Sequence, residues 1–370
     1  MNELFKTHPA VFAVDDTYQI MVPVKEPVLM WVRVGDAEYF DHSNGIIRSE
    51  ADIHRMTIPA KKLDSAGEYT VCWRKIIERK PYFSETVEQE SETYKFRSVP
   101  MGKAVCYHIS DAHGAVELPI KAAETFEKKF GKIDFLILNG DITSQNDKPE
   151  DFDNIYLIAS KLTGGEIPVV FSRGNHDMRG LFAEKFEYYT PHSNGKTYYT
   201  FKLGDIWGLL LDCGEDKPDS SDEYGHTICC HPFRREQTEY IKRLDKNEFE
   251  AENEKHRVVI SHIPFTFSKK PKFDIERELY AEWAELLKEG VNPGVMICGH
   301  EHGLEVSKPG SERDSLGHPC TVVVGGDVKS QPPTYEIIYY AGAGFVFDES
   351  SVMVAFTDCN GEVLEEMKIY

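Results

Sequence analysis

Seven side chains of metal-binding type, two aspartates, one asparagine and four histidines, fall in five short clusters of a 370-residue chain. The clusters are Ser110-Asp111-Ala112-His113-Gly114, Asn139-Gly140-Asp141, Gly174-Asn175-His176-Asp177, Ser261-His262 and Gly299-His300-Glu301-His302. Each stands at the end of an apolar run. In Asp111-x-His113 and His300-x-His302 alternate residues of an extended segment point the same way, so each pair can chelate or bridge. Mixed oxygen and nitrogen donors without thiolate suit Mn, Fe, Zn or Ni. Two cations about 3.5–4 Å apart acidify a bridging water, clamp phosphate oxygens and stabilise an in-line transition state, which is what ester hydrolysis at phosphorus requires. The flanking glycines Gly114, Gly140, Gly174, Gly299 and Gly303 permit tight turns and close approach of a substrate.

The elements that must position these clusters divide the chain in two. Residues 1–99 read as short strands with turn residues between them: Val11–Val14, Tyr18–Val22, Val28–Val34, Ile53–Ile58, Glu68–Glu78 and Thr93–Ser98. This spacing predicts a small antiparallel β-sandwich, followed by a linker at Ser98–Gly102. Residues 100–370 alternate strands and helices and end in a β meander, an α/β pattern. Strands are expected at Ala104–Ile109, Phe135–Leu138, Pro168–Ser172, Arg257–Ile260 and Val295–Cys298. Helices are expected at Ala115–Phe130, Asp151–Lys161, Glu236–Leu244 and Ile275–Lys288. Every cluster thus follows the C-terminal end of a strand, where open α/β sheets place their sites. An acidic polar run leading to Lys255 reads as solvated surface.

Composition bounds the function. The net charge of −20 argues against an extended nucleic-acid surface, so no nucleic-acid partner is expected. A small anionic substrate remains compatible, because bound metals invert the local field. No run is long enough for a membrane span, and Met1–Pro9 shows no signal-peptide pattern, so a cytoplasmic location is expected. The eight cysteines, several in apolar runs, read as reduced buried thiols.

The five clusters, in this order, resemble the pattern of the calcineurin-like metallophosphoesterase superfamily: D-x-H, G-D, G-N-H-[DE], H and G-H-x-H. The resemblance spans about Lys103 to Tyr370. It implies a four-layered α/β/β/α sandwich, preceded here by the smaller β-sandwich. It implies two divalent metals, one on Asp111, His113 and His302, the other on Asn175, His262 and His300, with Asp141 bridging. His176 would touch the phosphate or the leaving-group oxygen as a general acid, and Asp177 would orient its ring. The N-terminal segment resembles, by pattern, the fibronectin-like domain of purple acid phosphatases. The catalytic part departs from those enzymes. They carry Asp-x-Gly where this chain has Asp111-x-His113, and a tyrosine where it has Ser144, so neither a purple colour nor an obligatory ferric ion is expected.

The function expected is hydrolysis of a small phosphomonoester or phosphodiester by a metal-bridging hydroxide. The alternative is a non-catalytic scaffold, as some members of the superfamily are. Arg173 and Arg179 flank the Asn175-His176-Asp177 string; phosphate binding and surface salt bridges are both open for them. His226, Cys229, Cys230 and His231 read as a rim loop, with His226 or His231 near substrate, rather than as a zinc site. His108 reads as packed core. The loop Ser330–Tyr340 reads equally as an aromatic lid or as plain surface.

Overall fold

A computed structural model describes residues 3–249 and 255–370. The acidic run before Lys255 therefore lies largely outside the described residues. Two sheets carry the site. In the ten-stranded sheet the order begins Val363–Lys368, Ser351–Asp358, Glu336–Asp348, and continues through Lys103–Ile109, Phe135–Asn139 and Pro168–Ser172. The last three strands are parallel to one another. The six-stranded sheet runs Tyr199–Leu203, Ile206–Leu211, His256–Ser261, Val295–Cys298, Thr321–Val324, Glu305–Ser307.

The period-2 alternation of each strand sorts its side chains between layers. Cys106, Phe135, Ile137 and Val170 face the same core as Ile206, Leu210, Val258, Ile260, Val295 and Ile297, so the two sheets pack face to face. The alternate residues Val105, Tyr107, Leu136, Leu138, Val169 and Phe171 pack with helices Glu117–Phe130 and Asp153–Thr163. On the far side Trp207, Leu209, Val259, Met296 and Cys298 pack with helices Cys230–Lys242 and Arg277–Leu286. The expected α/β/β/α layering results. The eight cysteines are all free thiols, six of them buried. Among the described residues no helix is long and apolar enough to cross a membrane.

The β-rich N-terminal segment is also present, with one short helix, Ala60–Ala66, that the sequence reading did not include. One of its sheets runs Glu90–Lys95, Glu68–Arg79, Val28–Val34, Ala37–Phe40. Its other three long strands, Ala10–Val14, Thr17–Pro23 and Ile53–Pro59, extend the ten-stranded sheet: Val11 pairs with Pro168 and Phe12 with Val169, in parallel. A second seam joins Asp15 to the six-stranded sheet, its N–H donating to Thr200 O at 2.6 Å. The apolar core is shared as well. Ile20, Met30, Val32, Met56 and Trp73 belong to the same buried cluster as the ten- and six-stranded sheets. The sheet thus crosses the expected division between residues 99 and 100. The physical reason is that Ala10–Val14 is buried along its whole length and has a strand edge on each side, so it serves both units.

The loop Ser330–Tyr340 is the end of a hairpin between strands Asp327–Gln331 and Glu336–Asp348. Tyr335 and Ile338 are exposed there. Tyr340 is buried, and its hydroxyl donates to Ser110 O at 2.9 Å and accepts from Ser110 N at 3.1 Å. It braces the backbone one residue before Asp111.

Candidate metal centre

Parallel strands direct their C-terminal ends to one place, and all five clusters begin there. Asp111, Asp141 and Asn175 follow strands of the larger sheet; His262 and His300 follow strands of the smaller one. The turns that carry them are tight. Of twelve non-glycine residues at positive φ among the described residues, five are expected ligands: Asp111, His113, Asp141, His300 and His302. Each such conformation costs about 1–3 kcal/mol unless its surroundings hold it, and such strain concentrates at functional sites. Gly140 shows the crowding. A Cβ there would lie 2.6 Å from the backbone N and Cα of Gly174 and from Nδ1 of His262.

The donor atoms converge in three groups whose members lie within 4.8 Å of one another: Asp111, His113 and His302; Asp141, His262 and His300; and His113, Asp141 and His176. His113 Nε2 and His302 Nε2 are 3.0 Å apart. His262 donates from Nδ1 to Asn139 O at 2.7 Å, so its Nε2 faces Asp141 Oδ2 at 3.3 Å and Asp111 Oδ1 at 3.8 Å. That Nε2 is buried and has no hydrogen-bond partner. His300 Nδ1 and Asn175 Oδ1 are 2.9 Å apart, and the His300 N–H donates to Asp111 Oδ2 at 2.9 Å, tying the two sheets together. Asn139 adds a second tie, its side-chain amide donating to Ile297 O at 3.2 Å and to His108 Nε2 at 3.1 Å.

Burial and mutual charge set the protonation of these groups. Burial drives the imidazole pKa of His113 down to about 4 and lowers those of His300 and His302, which favours the neutral form that binds metal. Burial raises the Asp111 carboxyl to about 7, assisted by the charge of Asp141 and opposed by His262. Burial would also raise Asp141, but the nearby charge of His262 outweighs it and holds Asp141 below the usual carboxylate range. Burial lowers His262, but Asp141 and Asp111 dominate and lift it to about 10. A proton on His262 is thus balancing two buried carboxylates, a task that a bound cation performs equally well. The donor set, the orphaned Nε2 and this charge imbalance fit divalent metals.

His176 borders the same cleft. Its Nδ1 donates to Ser144 O at 3.1 Å, and Arg179 Nη1 lies 3.0 Å from its Nε2. The expected pairing of Asp177 with this ring is not observed. Asp177 is fully buried and turns the other way, accepting from the backbone N–H of Asp141 (2.9 Å) and Gly174 (2.8 Å) and from the Thr143 hydroxyl (2.9 Å). The crowded turns leave those amides without helix or sheet partners, and Asp177 satisfies them. It holds the loops of Asp141 and Asn175 together and does not orient His176.

The substrate residues expected from sequence divide. Arg179 lines the cleft, fixed by two bonds of 2.8 Å to Glu215. Arg173 is not at the cleft. Its Nε donates to the buried Asp212 at 2.7 Å and its guanidinium lies against the rings of Phe186 and Phe233, an ion pair of the scaffold. His226 is exposed on a left-handed turn and is not among the cleft residues. The four side chains of its cluster scatter: Cys230 is buried beneath Gly214, His231 pairs with Glu276, and His226 and Cys229 are exposed. His108 is buried as expected.

Sequence reasoning missed the rest of the cleft wall. A cleft of about 470 Å³ is lined also by Asp216, Lys217, Lys269, Lys270, Phe273 and Arg313. Asp216 Oδ2 stands 4.0 Å from His300 Nε2. Lys269 is lowered from the usual lysine range by burial. The signal available for it was the Ser268-Lys269-Lys270 triplet shortly after His262.

The profile of the calcineurin-like phosphoesterase family matches residues 105–304. No curated protein matches the chain at the significance applied. Among solved structures, a purple acid phosphatase from yellow lupin (Lupinus luteus) seeds superposes with a TM-score of 0.61 at 12% identity, covering 98% of this chain and 73% of that one. That similarity spans the N-terminal segment as well as the catalytic layers, and at this identity it speaks for the fold. A dimetal phosphatase from Danio rerio matches at 12% identity and a TM-score of 0.47, over 72% of this chain and 98% of its own. GAP50, the anchor in the inner membrane complex of Plasmodium, matches at 14% and 0.47, over 72% and 89%.

Proposed function

From the premise that the chain belongs to the calcineurin-like phosphoesterase family, we propose that it hydrolyses a small phosphomonoester or phosphodiester at a dinuclear metal centre. The observation that carries this reading is the meeting of ligand groups at Asp141, which belongs to one group with His262 and His300 and to another with His113 and His176. Asp111, His113 and His302 would hold one divalent ion, and Asn175, His262 and His300 the other, with Asp141 between them. Such ions supply charge neutralisation at the phosphate and a water acid enough to attack at neutral pH.

The chain's own groups do the rest. His176 has Nδ1 committed to Ser144 O and Nε2 beside Arg179 Nη1 at 3.0 Å, so it would give a proton to the leaving oxygen as an imidazolium whose Nε2–H is turned from Arg179 to the substrate. Arg179, locked by Glu215, presents Nη1 on the same side and would contact the phosphate. Asp177 keeps the Asp141 and Asn175 loops in register. The test is turnover of matched aryl phosphate mono- and diesters with Mn, Zn, Fe, Ni and Co in turn. Metal-dependent hydrolysis of at least one ester is the expected result. No hydrolysis with any metal by a protein that binds two ions would favour a scaffold.

A further inference from the structure

Beyond His176 and the expected ligands, the cleft is lined by five cationic side chains, Arg179, Lys217, Lys269, Lys270 and Arg313, and by two carboxylates, Asp216 and Glu301. This is a local reversal in a chain of net charge −20. Three of the cations gather on the His300 side. Glu301, between His300 and His302, lies 3.7 Å from Lys269 Nζ and 2.8 Å from Arg313 Nη2. Asp216, beside His300, lies 3.4 Å from Lys217 Nζ, which also pairs with Glu223, and Arg313 Nε lies 3.3 Å from Glu305. Their carboxylate partners hold these side chains in place. Lys269 is the least satisfied. Its side chain is only 11% exposed, and the one carboxylate within 4.0 Å among the described residues stays beyond hydrogen-bond reach. A buried ammonium held this loosely is costly, and an arriving anion would relieve it.

We propose that the cleft selects a phosphoester whose leaving group carries a second anionic group, a phosphate or a carboxylate, held by Lys217, Lys269 and Arg313. The proposal rests on the phosphoesterase reading above and narrows its substrate class. Two divalent ions, opposed by Asp111 and Asp141, would be occupied with the phosphate that reacts. Lys269 lies outside that arrangement: alone of the three cations beside His300 it has no carboxylate within hydrogen-bond distance among the described residues, and a second anion would supply its partner.

The test is calorimetric binding to the metal-loaded full chain of three stable probes: butylphosphonate, 4-phosphonobutanoate and butane-1,4-diylbisphosphonate. The second anion is expected to strengthen binding about tenfold or more over butylphosphonate, the worth of one charge-assisted contact. A gain confined to the bisphosphonate identifies a phosphate as the second group; a gain with both identifies any anion. Lys269→Met and, as a variant nearer the surface, Lys217→Gln should each shrink that ratio to about threefold or less, with Lys269→Arg restoring part of it. Equal binding of all three probes overturns the proposal, as does a ratio unchanged in both variants or no binding at all. Failure of the phosphoesterase reading looks different: aryl phosphates then remain intact with every metal, whatever the probes do.

Discussion

His176 and Asp177 are adjacent in the chain and face opposite ways. The Ser144 carbonyl holds the His176 ring toward the cleft, while Asp177 collects the amides of Asp141 and Gly174. His176→Ala is therefore expected to keep both metals and to lose roughly 10²–10⁴-fold in turnover, as removal of a general acid does. His300→Ala should instead weaken metal binding, because it removes a donor from the group formed with Asp141 and His262. Metal analysis of the two variants decides between the roles: equal loss of metal would make His176 a ligand. At this scale the sequence was legible wherever a residue acts through its own donor atom. Asp111, His113, Asp141, Asn175, His262, His300 and His302 carry suitable donors by type, were singled out by the family pattern they resemble, and lie together. Asp177 was misjudged, Arg173 left open and Lys269 missed, because what each contacts depends on which way a side chain points, and that is fixed by loops far apart in the chain.

The strand ends and the turns that follow them do the positioning. The near-continuous burial of Lys103–Ile109, Phe135–Asn139 and Val295–Cys298 was readable as apolar runs, and those strands appear where expected within a residue or two. The left-handed turns at Asp111, Asp141 and His300 were not readable, since nothing in those residue types demands positive φ. They depend on close passage of neighbouring loops, and Gly140 is one such point in the ligand loops of the larger sheet. Gly140→Ala would drive a Cβ into Gly174 and His262 while asking alanine to adopt φ +76°. It should destabilise the protein by a few kcal/mol and loosen the centre even though no ligand is altered. Thermal unfolding and metal affinity measured together check this. A variant with unchanged melting temperature and unchanged affinity would mean the loops are free to part.

Across the whole molecule, the N-terminal segment is built into the catalytic sheet. The sequence showed its short strands but could not show that Ala10–Val14 pairs with Pro168–Ser172, because a strand buried along its length reads the same in either sheet. A fragment beginning near Met101 contains all seven ligand residues and still exposes the edge at Val169 along with the core shared with Ile20, Met30 and Trp73. Each buried apolar side chain contributes about 1.5–3 kcal/mol against a net stability of about 5–15 kcal/mol. The fragment is expected to aggregate or to unfold at a much lower temperature, as circular dichroism and sedimentation would show; a soluble, cooperatively folding fragment would make the two parts independent domains. The dinuclear centre itself is tested most directly by metal content and hydrolysis of an aryl phosphate, measured side by side in the full chain and in Asp141→Asn. The result expected is two divalent ions per chain with turnover that chelation abolishes and metal restores, and loss of both metal and turnover in the variant with the fold kept. Turnover that survives in the metal-free protein, or two ions and full activity in Asp141→Asn, would contradict it.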